Sequence, residues 1–194
     1  MMGEFVNLRP LMTDDAGITF EWRRSDRAIN LNRSPSSVEE QRNWIMSRPS
    51  SEYNFIIETK AGHPVGMLSL VDVDMVHLRA EPARFLIGDE HATRGIPAAA
   101  EAMKLLYELA FDRLGLRRVY GGVVSDNTKV LKWQLFTGMV KEGVSRDHMF
   151  INGHYQDAIM LGMLEHEYRK TALPRLNALI AVGHMHVSNL AQQE

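Results

Sequence analysis

The chain has no cysteine, which excludes disulfides, a thiolate nucleophile and any thiolate-bound metal. Its eight histidines are scattered. His184 and His186 stand two apart rather than at the helical spacing of a zinc pair, so metal catalysis is not expected. No apolar run approaches the ~20 residues of a membrane span, and residues 1–10 lack the charged-then-apolar order of a secretory leader. Neither sign of charge dominates: 22 basic and 24 acidic residues are well mixed and leave a net charge of −2. Basic tracts for nucleic acid or anionic lipid are missing, as are a G-x-S-x-G elbow and a phosphate-binding lysine loop. A soluble, cytoplasmic protein is expected, binding neither nucleic acid nor membrane.

The 194 residues, 45% hydrophobic and 24% charged, suit one globular domain. A chain of this length buries roughly two-thirds of its unfolded surface and needs no covalent staple. Residues 5–9 alternate apolar and polar side chains and read as a strand stopped by Pro10. Thr13, Asp14 and Asp15 offer an N-cap for a helix through Phe20 and Trp22. Ser37 followed by Glu40 is a capping-box pattern opening a second helix. Strands are expected at 53–59 and 65–73, around a turn carrying Gly62 and Pro64, and then at 83–88. A long helix follows at 97–114, with Ala102, Met103, Leu106 and Ala110 on one face and Gly115 as its stop. A strand at 118–124, a helix at 127–137 and strands at 139–145 and 156–164 complete the order. The implied fold class is α/β: a single mixed, mostly antiparallel central sheet flanked by helices. Residues 1–170 read as the domain, and 171–194, carrying Leu176, Leu179 and Ile180, as a C-terminal helical extension. One use for its apolar face is packing on a neighbouring subunit in a homodimer.

The most informative stretch lies between Phe85 and Ala99. A strand ending in Leu86, Ile87 and Gly88 enters a loop, and the loop feeds a helix that starts on small residues. Helix N-termini expose unpaired N–H groups and about half a positive charge, which suits phosphate. Arg94 adds a charge-assisted bond to the same anion. Arg94-Gly95-Ile96-Pro97-Ala98-Ala99 resembles the pyrophosphate loop of the GNAT acetyltransferase superfamily, R/Q-x-x-G-x-G/A, with Pro97 in place of a glycine. Proline removes one N–H from the cradle yet suits a first helical turn. Asn127-Thr128-Lys129-Val130-Leu131-Lys132-Trp133-Gln134-Leu135-Phe136-Thr137-Gly138-Met139 resembles the second signature of that superfamily, N-x-x-A-x-x-L-Y-x-x-x-G-F. The resemblance covers residues 5–165.

This resemblance implies an N-acetyltransferase that uses acetyl-CoA as co-substrate and no metal. Leu86, Ile87 and Gly88 would bind CoA along the strand and offer an N–H to the thioester oxygen, an oxyanion-type contact. Arg94, Gly95, Ile96, Pro97, Ala98 and Ala99 would hold the pyrophosphate. Asn127 would bond the pantetheine arm or the phosphates, and Lys129 or Lys132 would reach the nucleotide end. Asn127 equally suits simple helix capping. Gln134 stands where many members carry the tyrosine that protonates the departing thiolate. A carboxamide lacks that acidity, so Ser125 and Tyr155 are the candidate acids. The amine must lose a proton before it attacks; Asp89 is the first candidate base and His91 the second.

On the acceptor side, Glu21-Trp22-Arg23-Arg24 with Ile29 and Asn30 resembles a W-R-N segment of one GNAT branch. That branch holds sugar-nucleotide N-acetyltransferases of pseudaminic-acid synthesis beside ribosomal-protein N-terminal, aminoglycoside and polyamine acetyltransferases. A small-molecule amine is expected as acceptor, an amino-deoxy sugar carried on UDP first. Trp22 would stack on its base or sugar, and Arg23 or Arg33 would meet its diphosphate. Trp22 equally fits a core anchor. A CoA-binding or partner-binding module without chemistry is the alternative from another class, suggested by Gln134 and Pro97.

Overall fold

Seven strands are described: β1 Val6–Pro10, β2 Tyr53–Thr59, β3 Pro64–Asp74, β4 Arg79–Ile87, β5 Arg118–Val124, β6 Val140–Ile151 and β7 His154–Leu164. The structure is a computed structural model that describes residues 1–31, 35–151 and 153–191. The strands form one sheet in the order β1-β2-β3-β4-β5-β7-β6. Every neighbouring pair is antiparallel except β4 and β5, which run parallel. The helices are α1 Ala16–Arg24, α2 Val38–Met46, α3 Ala98–Glu108, α4 Thr128–Phe136, a short α5 Glu165–Glu167 and α6 Leu173–Ala191.

Period-two alternation divides the core between the two faces of the sheet. Ile56 and Ile57 are adjacent, both fully buried, and belong to different clusters. On one face Ile56, Met67 and Leu86 pack with Trp22 of α1 and with Ala28. On the other, Ile57, Leu68, Leu70 and Leu161 pack under α3, represented by Met103 and Leu106. Helix α3 is covered nearly all round, which is why its sequence is rich in small and apolar residues. One of its buried residues is charged. Glu101, 3% exposed, accepts the backbone N–H groups of Glu4, Phe5 and Val6 at 2.6, 2.7 and 2.7 Å. This carboxylate pins the entry of β1 to the central helix.

Helix ends follow local chemistry with small departures. The Ser37 hydroxyl accepts the Glu40 N–H at 3.0 Å, but the Glu40 carboxylate returns to the N–H of Ser36 rather than to Ser37. Asp15 does not cap α1 with its side chain. Its carboxylate instead receives Arg9 at 2.7 and 2.8 Å and the Met12 N–H at 2.8 Å, tying the end of β1 to the start of α1.

Three elements differ from the sequence expectation. Strand β4 starts at Arg79 rather than at residue 83, because Pro82 obscures the alternation and Arg84, at φ +56°, forms a bulge. The register there passes from Met67↔Leu86 to Ser69↔Ala83, one extra residue on β4. Strands β6 and β7 are longer than expected and close at Gly153, which takes φ +84°; β6 is an edge strand with mostly exposed side chains, so it carries little apolar alternation. Helix α6 also joins the main core. Leu176 and Ile180 are 0% and 5% exposed and belong to the cluster under α3. That part of its apolar face covers α3 within the chain rather than a neighbouring subunit, because α3 would otherwise leave an apolar side in water.

Candidate active site

Strands β4 and β5 pair at two positions only, Arg79↔Arg118 and Ala80↔Val119. Beyond them β5 continues against β7 from Tyr120 to Val124, and β4 continues against β3. Among the described residues, the β5-facing side of β4 therefore has no strand partner from Glu81 onward, and a wedge opens in the middle of the sheet. Backbone groups left at such an edge recruit an extended ligand as an added strand. Leu86, Ile87 and Gly88 lie along this edge or just past it.

The loop that follows is folded by its own hydrogen bonds. Gly88 and Asp89 both donate to the Val65 carbonyl, at 2.9 and 3.1 Å. The Asp89 carboxylate accepts the Ala92 N–H at 2.9 Å and contacts His63 Nε2 at 3.0 Å. Gly95 takes φ +82°, a left-handed conformation that glycine adopts without a Cβ penalty. Pro97 is the N-cap of α3, so Ala98, Ala99 and Ala100 supply the first-turn N–H groups, which have no acceptor within the helix. Ala98 and Ala100 are buried and Ala99 is partly open; Arg94 is exposed on the loop. Free first-turn N–H groups of this kind suit an anion. The Pro97 ring is explained by packing: a Cβ on Gly183 of α6 would lie 2.5 Å from Pro97 Cδ.

Across the wedge, Asn127 caps α4, its side chain accepting the Val130 N–H at 3.3 Å. That bond uses the amide oxygen and leaves the NH2 group for a ligand. Lys129 and Lys132 are exposed on α4. Ser125 follows directly on β5 and donates its N–H to Asp157 at 2.9 Å. Tyr155 lies out on the β6–β7 hairpin, 64% exposed, with its ring 5.1 Å from that of Phe150. Gln134 is in α4, its Oε1 buried.

The carboxylate inside the wedge is Glu81, which sequence reasoning did not single out. Gly121 of β5 leaves room for it: a Cβ there would stand 3.3 Å from Glu81 Oε1. Burial, and next the nearby Asp72 carboxylate, push the Glu81 carboxyl above the ordinary glutamate range, against the opposing pull of Arg84. Asp89 goes the other way. The Ala92 N–H first, and His63 second, hold it below the ordinary aspartate range, which makes it a weaker base than Glu81. His91 is exposed on the loop.

The acceptor-side residues separate. Trp22 is 7% exposed and packs in the α1-side core, where a Cβ on Gly88 would collide with its indole. Its faces are covered by protein rather than offered for stacking, because α1 docks this ring on the sheet. Arg23 is also buried, 6% exposed, with its guanidinium 5.3 Å from the Trp44 ring centroid. Arg33 lies outside the described residues.

The acetyltransferase (GNAT) domain family matches residues 6–140. The chain belongs to the GNAT acetyltransferase family. It is 33% identical over 118 residues to the spermidine N(1)-acetyltransferase of Escherichia coli K12, a match that spans 61% of this chain and 61% of that protein. A Bacillus subtilis protein provisionally named a ribosomal N-acetyltransferase is 27% identical over 177 residues, 86% of this chain and 95% of the relative. The fold is that of the spermidine N-acetyltransferase of Vibrio cholerae solved with CoA and spermine. That match has a TM-score of 0.75 and 23% identity, and it covers 86% of this chain and 99% of that one. Among the described residues, no group of three or more metal-capable side chains occurs, and no helix is long and apolar enough to cross a membrane.

Proposed function

We propose that this GNAT chain transfers an acetyl group from acetyl-CoA to the primary amine of a small molecule. The observation that carries the reading is the wedge between β4 and β5, with a proton-accepting carboxylate inside it and a helix beginning beyond it. The coenzyme's amide-bearing arm would add to the free edge of β4 at Leu86 and Ile87. Its phosphates would meet the N–H groups of Gly95, Ala98 and Ala99, with Arg94, Lys129 and Lys132 adding charge.

Glu81 takes a proton from the acceptor ammonium, directly or through one water, so that the nitrogen has a lone pair. The nitrogen attacks the thioester carbonyl carbon, the C–N bond forms, and the carbonyl electrons shift to oxygen, where the Ile87 or Gly88 N–H would stabilise them. The carbonyl re-forms as the C–S bond breaks, the nitrogen gives up its second excess proton to water, and the thiolate takes a proton from Ser125, Tyr155 or water.

Two acceptor classes enter here. A polyamine is suggested by the name of the Escherichia coli relative; the amino-deoxy sugar on UDP expected from the sequence draws no support from Trp22 and Arg23, which are buried. The test is a turnover assay that follows free CoA with spermidine, UDP-linked 4-amino sugars and N-terminal peptides as acceptors. Release of CoA dependent on one of these amines is expected. Tight acetyl-CoA binding with no turnover of any amine would favour a binding module instead.

A further inference from the structure

The last paired positions of β4 and β5 are Arg79↔Arg118 and Ala80↔Val119. The next residue is Glu81 on β4 and Tyr120 on β5. Side chains alternate faces along a strand, so Arg79 and Glu81 share a face of β4, and Arg118 and Tyr120 share a face of β5. Ala80 and Val119 both belong to the core cluster under α3. Arg79, Glu81, Arg118 and Tyr120 therefore start from the opposite face, together at the apex of the wedge.

In this group the Tyr120 ring is held and its hydroxyl is not. The guanidinium carbons of Arg79 and Arg118 lie 5.7 and 5.8 Å from the ring centroid. Each arginine is itself anchored, Arg79 at 3.5 Å from Asp74 and Arg118 at 2.6 Å from Glu142. Two anchored cations against one ring fix its place. The Tyr120 hydroxyl has no hydrogen-bond partner among the described residues, yet it is not sealed in the core as those of Tyr107 and Tyr168 are. It is open to what enters the wedge.

The hydroxyl is also neutral. Burial first and the Asp72 carboxylate next hold the phenol above the ordinary tyrosine range, against the pull of Arg79. It stays protonated at neutral pH, where it is no base but can accept an N–H. The Glu81 charge is among those that act on it, as befits neighbours across the apex.

We propose that Tyr120 is a catalytic residue of the transfer, its phenol oxygen accepting one N–H of the acceptor amine while Glu81 takes the proton of another. A primary ammonium carries three N–H groups and rotates about its C–N bond; acceptors on two neighbouring strands fix its orientation. The proton leaves nitrogen for the Glu81 carboxylate, the hydrogen bond to Tyr120 persists, and no bond to the phenol is made or broken. This rests on the transfer proposed for the wedge and adds a second amine contact to it.

The test is Tyr120→Phe, which keeps the ring between the guanidiniums and removes the hydroxyl alone. Rates are measured with whichever of spermidine, a UDP-linked 4-amino sugar or an N-terminal peptide turns over fastest. kcat/KM for that amine is expected to fall about tenfold, the effect of one hydrogen bond to a charged group. KM for acetyl-CoA and the melting temperature should stay as in the wild type. An unchanged kcat/KM would overturn the contact. So would a raised KM for acetyl-CoA or an early melt, either of which marks a structural hydroxyl. The transfer itself fails separately, through absence of wild-type turnover with all three amines. Calorimetry then decides the contact: with CoA present, an amine should bind the full wild-type chain about tenfold more tightly than Tyr120→Phe. Equal affinity, or no amine binding to the wild type, overturns it.

Discussion

The indole of Trp22 occupies the space into which a side chain on Gly88 would project. This one contact fixes α1 against the end of β4, where the coenzyme arm is proposed to lie. Gly88→Ala drives a methyl group into the ring and should cost about 1–3 kcal/mol, as overpacking of a filled core does. Thermal melting would measure it. An unchanged melting temperature would show that the indole yields freely.

Glu81 should set the acidic limb of the pH–rate profile. Activity needs the carboxylate form, so kcat/KM should rise with pH through a value above the ordinary glutamate range, because burial and Asp72 favour the protonated form. Glu81→Gln should lower kcat by about 100-fold or more. The same variant should gain stability. With the folded pKa raised, the wild type has its full Glu81 contribution below the unfolded pKa and loses it as pH rises through the folded value. Denaturant melts of both proteins at low and neutral pH would test the sign: the advantage of Glu81→Gln should appear only at the higher pH.

Asp89 should behave differently. Its carboxylate is held in the charged form by the Ala92 N–H and His63, so it contributes stability above the unfolded aspartate pKa that is lost as pH falls through the lower folded value. Asp89→Asn is expected to loosen the loop and raise KM for acetyl-CoA while leaving the acidic limb where it was. Disappearance of that limb in Asp89→Asn would return the role of base to this residue.

Glu101→Gln should be among the most damaging single changes outside the wedge. It places an NH2 group where three backbone donors converge, leaving buried groups unsatisfied at about 2–3 kcal/mol. Loss of protection at the amides of Glu4, Phe5 and Val6 in hydrogen exchange would localise the effect.

Gly183→Ala tests the contact between α6 and the start of α3. The new Cβ would lie 2.5 Å from Pro97 Cδ, so either α6 lifts or the helix beginning shifts. A raised KM for acetyl-CoA with little change in kcat is the expected split. Equal kinetics for the two proteins would mean that α6 moves without disturbing the cradle.

Much of the framework was legible in the sequence. Strands β2 and β5 were expected at their observed bounds, because runs such as Phe55 to Ile57 carry strong β propensity between clear turns. The cap at Ser37 and the left-handed stops at Gly115 and Gly138 follow from local rules. The turn at Gly95 and the start of α3 were legible for the same reason, since they depend on local backbone preferences. Glu81 was not. It sits in a strand beside Pro82, and only the approach of β5 at Gly121, across the fold, gives its carboxylate room. The setting of Tyr120 was hidden too, since Arg79 and Arg118 lie far apart in the chain and meet only across its ring.

Local chemistry therefore determined where this chain turns, which stretches extend or coil, and that α3 begins on small residues after a left-handed glycine. Each of those outcomes depends on residues a few positions apart, whose dihedral preferences and hydrogen bonds act without distant help. Which acid sits in the wedge, what Trp22 packs against and where positive charge accumulates were decided by the assembled sheet. Desolvation, field and steric closure are properties of neighbours brought together across the fold, and a linear order of residues does not contain them.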